Sequence, residues 1–142
     1  MKNKEANERL FIEESFNKLV NRCEDSIKTG IGISNVLVIL NKDFSVKIEH
    51  IQDKNVKEIR NIVADYDMIG YLYAVDCVGV NRHTHKQRQI ISIGFCKSNI
   101  YKSIDIEYKD KKIINRTIKE QRTKDEVDVL DIWGSHNEMT II

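Results

Sequence analysis

Apolar positions along the chain change their period several times, and each change marks an element. Over residues 5 to 28, Ile12, Phe16, Leu19, Cys23 and Ile27 recur at spacings of three and four, with Glu13, Glu14, Lys18, Arg22 and Asp25 elsewhere on the wheel. This predicts an amphipathic helix, stopped by Gly30 and Gly32. Val36-Leu37-Val38-Ile39-Leu40 is an unbroken β-prone run, as expected of a strand buried on both faces. Asn41-Lys42-Asp43 supplies a turn, after which Phe44, Val46 and Ile48 alternate with Ser45, Lys47 and Glu49 as a hairpin partner with one wet face.

Asp53 or Asn55 is placed to cap a second helix, the latter with Glu58 three residues on. Its stripe is Val56, Ile59, Val63 and Tyr66, and Gly70 is expected to close that connection. Residues 71 to 80 form a second nearly all-apolar strand, and 89 to 97 another around Ile91, Ile93 and Phe95. Ile104, Ile106 and Tyr108 alternate with polar residues, Asp110-Lys111-Lys112 turns the chain, and 113 to 120 return. From Gln121 the chain becomes acidic and mixed, with Val127, Leu130, Ile132 and Trp133 in a segment that is either a loose tail or a docking element. Hairpin-length links predict an α+β fold: a mainly antiparallel sheet of about five or six strands, with two helices packed on one face. Residues 1–142 read as one domain, since neither a repeat nor a linker divides them.

Composition narrows the function classes. Of 142 residues 41% are hydrophobic and 32% charged, enough for a core and a solvated surface. No run approaches the roughly 18 apolar residues of a membrane span. Met1-Lys2-Asn3-Lys4-Glu5 leads into polar residues rather than a signal's apolar core, so a cytoplasmic protein is expected, with no membrane partner. Lys and Arg number 23 against 22 Asp and Glu, a net charge of +1, so any anion site must be a local patch. Cys23, Cys77 and Cys96 each sit in an apolar pattern and read as reduced core thiols. Proline is absent while Ile, Lys and Asn abound, the usage of an AT-rich genome.

Arg82, His83, His85, Lys86 and Arg88 fall within seven residues between two apolar strands. Guanidinium groups on a loop can grip phosphate, although a solvated hairpin tip collects the same residue types. Tyr71 and Tyr73 on the preceding strand would stack a base if exposed, or pack in the core if not. His83-Thr84-His85 has an offset two imidazoles could use on one metal, but the further ligands zinc requires are missing nearby, so no metal is expected. Asp76 lies inside an apolar strand and needs a partner, for which Arg88 across the hairpin is the candidate. Asp105, Glu107 and Lys109 share one strand face, and with Asp76 upstream they match the sparse pattern of a metal-dependent nuclease. A solvent-facing strand produces the same alternation. Gly-rich phosphate loops, nucleophile elbows and paired Cys-x-x-Cys motifs are all absent, so no cofactor is expected.

The order of elements resembles a family of uncharacterised small α+β proteins found in bacterial and phage genomes. The resemblance covers roughly residues 8 to 120. It rests on the N-terminal helix, the strand pair Val36 to Ile48, the acidic residue in Val75-Asp76-Cys77 and the basic residue opening Arg88 to Phe95. It implies a fold and a mobile-element origin, and it brings no activity with it.

Together these readings predict a non-enzymatic, homo-oligomeric binding protein, a phage-type accessory factor. It would sequester a small nucleotide-like anion or block a host protein. Arg82, His83, Lys86 and Arg88, with Tyr71, Tyr73 and Asp76, are the expected ligand contacts. Two alternatives stay open: a metal-dependent nuclease or phosphodiesterase on Asp76, Glu107 and Lys109, and a protein-assembly module using the segment around Trp133.

Overall fold

The computed structural model of the protein describes residues 2–33, 35–64, 68–80, 83–97, 100–122 and 140–141. Helix α1 (Lys2–Thr29) precedes strands β1 (Val36–Asn41) and β2 (Val46–His50), helix α2 (Val56–Ala64) and strands β3 (Met68–Val80), β4 (Gln87–Lys97), β5 (Ile100–Lys109) and β6 (Lys112–Arg122). The six strands form one antiparallel path in the order β2-β1-β3-β4-β5-β6. A two-residue strand β7 (Thr140–Ile141) pairs in parallel with Gly79 and Val80 of β3. The α+β class and the mainly antiparallel sheet are those the apolar spacing predicts.

Because side chains alternate across a strand, the sheet splits its apolar residues into two layers. Phe16, Cys23 and Ile27 of α1 pack on Val38, Leu40, Leu72, Ala74, Ile91, Ile93, Phe95, Ile104 and Ile106. The opposite face gathers Leu37, Ile39, Tyr71, Tyr73, Val75, Cys77 and Cys96 beneath Ile51 and Ile59, the latter from α2. The expectation that both helices share a face is therefore corrected: one lies on each. The double coverage explains why β1 and β3 are apolar without alternation. Leu37, Ile39, Leu40 and Leu72 are all 0–1% exposed.

Helix α1 is 28 residues long, about 42 Å. That matches the 13-residue β3, about 43 Å. Near the start of α1, Phe11 meets Phe44 of the β1–β2 turn edge to face, with ring centroids 5.3 Å apart. Further on, Glu24 accepts from Arg116 Nε of β6 at 2.7 Å. At its end, Gly30 adopts φ +75°, the left-handed cap that glycine takes without steric cost, and its N–H donates to the Ile27 carbonyl.

Two local expectations shift. Phe44 sits in the β1–β2 turn at φ +64° rather than in a strand. Gly70 lies inside β3, not at the end of a connection, and a Cβ there would fall 2.7 Å from the Phe95 ring. Asn55 caps α2 as its position suggests, its Oδ1 accepting from the Glu58 N–H at 2.8 Å. Tyr66, Val127, Leu130, Ile132 and Trp133 lie outside the described residues. Among those described, no helix is long and apolar enough to cross a membrane.

Candidate functional site

After Gly30 the chain passes through residues 31–33 without regular structure before entering β1. Asn35 anchors that return. It is buried, and its backbone N–H, its carbonyl and its side-chain oxygen are all hydrogen-bonded. Its N–H donates to Gln52 Oε1 at 3.1 Å, its carbonyl accepts from the Ile51 N–H at 3.0 Å, and its Oδ1 accepts from the Asp76 N–H at 3.0 Å. Backbone pairing of β1 with β3 stops at Val36 and Ala74, so the Asn35 side chain supplies the next rung of the ladder.

Between the C-terminal half of α1, residues 31–33 and the sheet lie two adjoining cavities, which share Ser26, Ile31, Gly32 and Ile33. The larger holds about 420 Å³ and is walled by Leu19, Ile33, Val36, Val38 and Ile48, with Arg22, Cys23 and His50 also lining it. The smaller holds about 210 Å³ and brings together Asp76, Gln89, Tyr108 and Asp110. Tyr108 Oη donates to both Asp76 carboxylate oxygens, 3.0 Å from each. Strand alternation puts both residues on the α1 face. Asp76 stands in register with Ile91 and Tyr108 with Gln89, so the bond runs diagonally across β4.

Partial burial pushes the Asp76 carboxyl above its ordinary pKa, and the Tyr108 hydrogen bond offsets some of that rise. The Tyr108 phenol is raised as well, first by burial and then by the nearby Asp76 charge. The Cys23 thiol is pushed up to about 12, mainly by burial. Cys77 likewise reaches about 12 and donates its Sγ–H to the Ile90 carbonyl. Such thiols stay protonated near neutral pH and are poor nucleophiles.

The residues expected to form one anion site are dispersed. Tyr71 and Tyr73 are 8% and 2% exposed in the core layer of the α2 face, which leaves no ring face for a base. Tyr73 is also seven residues, roughly 23 Å of strand, from Val80. His83 and Lys86 are exposed on the β3–β4 turn, and Arg82 lies outside the described residues. Arg88 does not partner Asp76. It grips Glu107 through a two-pronged bond, Nε to Oε2 at 2.8 Å and Nη2 to Oε1 at 2.6 Å, on the opposite face of the sheet. That fork holds the Glu107 carboxyl below its ordinary pKa.

The Asp76–Glu107–Lys109 set does not converge either, because Asp76 faces α1 while Glu107 faces away from it. No group of three or more His, Cys, Asp or Glu among the described residues is placed to hold a metal ion. Sequence reading missed Asn35 and Tyr108 as partners of Asp76. The alternation of Ile104, Ile106 and Tyr108 did signal which face Tyr108 occupies; the cross-strand offset had no such signal.

The arrangement defines an α+β sheet protein with a helix-roofed cleft, one arm mainly apolar with Arg22 and His50 in its lining, the other holding Asp76, Gln89, Tyr108 and Asp110. The chain matches no family model, curated protein or solved structure, so the resemblance to small bacterial and phage proteins rests on the order of elements alone.

Proposed function

We propose that the protein is a non-enzymatic binding protein whose ligand seat is the cleft under the C-terminal half of α1. The observation that carries this reading is the pair of adjoining cavities, the larger of about 420 Å³, with mainly apolar walls and a few polar groups in each, Arg22 and His50 in the larger and Asp76, Gln89, Tyr108 and Asp110 in the smaller. Ligand sites characteristically combine a volume in that range with that division of surface. A nucleotide-like anion at the β3–β4 turn has less behind it, because Arg88 is occupied by Glu107 and the tyrosines are buried. A nuclease loses its geometric basis with Asp76 and Glu107 on opposite faces.

Gly32 supplies the test. It lines both cavities, and a Cβ built on it meets nothing within 4 Å, so a side chain can start there without a backbone clash. With the neutral probe 1-hexanol, saturation-transfer NMR is expected to show contact with the wild-type protein. The contact should be lost in Gly32→Trp, with the unfolding midpoint unchanged. Equal transfer to both proteins would reject the cleft as the seat.

A second reading, self-assembly, is favoured by one observation. Edge strand β2 shows Val46 and Ile48 48% exposed on the α1 face, with Phe44 and Leu10 of α1 also exposed. An apolar strip beside an unpaired strand edge is a place where a second copy can add. A phage-type role in blocking a host protein would use the same kind of surface.

A further inference from the structure

The geometry points to a two-fold dimer in which strand β2 pairs antiparallel with β2 of a second copy, with Ile48 opposite Ile48. This rests on the self-assembly reading and adds the strand and the register. β2 ends the sheet path, and among the described residues no strand pairs with its outer side. Its ladder to β1 is bounded by two backbone bonds, from the Asn41 N–H to the Ser45 carbonyl and from the Ile51 N–H to the Asn35 carbonyl. Bonded and non-bonded pairs alternate between those ends. Lys47 and Glu49 therefore turn their backbone groups toward β1, while Val46, Ile48 and His50 turn theirs outward.

Outward groups can bond only outward groups, so a two-fold axis between two β2 strands must pass through a residue, and charge selects which one. Centred on Lys47, the pairing opposes Lys47 to Lys47; centred on Glu49, it opposes Glu49 to Glu49. Centred on Ile48, it sets Lys47 against Glu49 twice, with Val46 against His50. Larger shifts shorten the overlap of a five-residue strand. Opposite charges facing each other stabilise a strand pair and like charges destabilise it, and Lys47 and Glu49 fall at the non-bonded positions, where side chains stand closest. This register exchanges about six backbone hydrogen bonds and joins Val46 and Ile48 of both copies, each 48% exposed in one copy, into one apolar strip. The far edge of the sheet offers no such match, because β6 carries Lys112, Arg116, Lys119 and Arg122 against Glu120. A two-fold contact also closes on itself and stops at the dimer.

Sedimentation equilibrium of the full-length protein tests the seam. Wild type is expected to dimerise, and Lys47→Glu and Glu49→Lys each to weaken the dimer roughly tenfold, since each turns two opposite-charge pairs into like-charge ones. The double exchange, Lys47→Glu with Glu49→Lys, re-forms both pairs and should restore wild-type affinity. Cross-linking reads the register directly. Under mild oxidation Ile48→Cys is expected to give a disulfide-linked dimer, because directly opposed bonded residues have Cα atoms about 5.5 Å apart. Val46→Cys should stay unlinked, its two copies lying farther apart along the seam than the roughly 7 Å a disulfide spans. The native cysteines are buried, so the introduced thiol carries the signal. Three results overturn the register while self-assembly stands: a dimer indifferent to both single charge changes, a double exchange as weak as the singles, or Val46→Cys linking as readily as Ile48→Cys. A monomeric wild-type protein overturns both.

Discussion

Asp76 and Glu107 are both strand carboxylates, yet their surroundings shift them in opposite directions, and the sign of each shift dictates a pH dependence. Burial raises the Asp76 pKa in the folded protein, so folding favours its protonated form. Its contribution to stability is greatest in acid and declines as pH rises from the ordinary value of 3.8 through the higher folded one. Glu107 is held low by Arg88, so its contribution is present above the ordinary value of 4.5 and is lost as pH falls through the lower folded one. In urea unfolding at neutral pH, Asp76→Asn is therefore expected to stabilise and Glu107→Gln to destabilise, with both differences fading toward pH 3. An Asp76→Asn variant that is less stable at pH 7 would show that the ionised carboxylate is better compensated than the Tyr108 bond alone implies. The need for a partner was legible from Asp76 lying in an apolar strand, but the partner's identity was not. Arg88 is close in sequence and on the wrong face, whereas Tyr108 lies 32 residues away and reaches it across β4.

At the scale of elements, β3 organises the sheet, and its fit to β4 depends on a ring stacked over a missing side chain. Tyr73 and Gly94 are a cross-strand pair, and a Cβ at Gly94 would fall 2.3 Å from the Tyr73 ring. Gly94→Ala is expected to cost about 1–3 kcal/mol in chemical denaturation, since overfilling a packed layer forces rings off their rotamers. A neutral result would mean the Tyr73 ring can swing aside. On the other edge of β3, Asn35→Ala leaves the partly buried Asp76 N–H without its acceptor and is expected to cost about 1 kcal/mol by the same assay. Element types were readable from apolar period, because β1 and β3 are covered on both sides and β5 on one. Element ends were less so. Gly70 has the residue type of a terminator but sits within β3, because a neighbouring ring, Phe95, fills the space above it.

For the whole molecule, the consequence of opposite helix faces is an uneven surface. The β2 edge has Val46 and Ile48 48% exposed on the α1 face. Native mass spectrometry is expected to show a dimer for the wild-type protein and a monomer for Val46→Lys, with any co-purified small molecule appearing as added mass. A monomer for both would remove the self-assembly reading and leave the cleft reading untouched. Thiol chemistry offers an independent check on the two layers. Cys23 is buried in one and Cys77 and Cys96 in the other. All three should resist iodoacetamide in the native protein and react on unfolding, whereas rapid labelling of the native protein would show that a layer opens.

Apolar period along the chain by itself determined the element types and most of the central-strand core, and the short links between strands determined the antiparallel class, because burial on one or both sides of a strand leaves its mark residue by residue. It could not determine which helix lies on which face, which charge meets which, or that the C-terminal half of α1 and residues 31–33 would bound a cleft ending at Asp76 and Tyr108. Those outcomes depend on strand order, register and the packing of α1, which join residues far apart in sequence, and a local pattern carries no record of such distances.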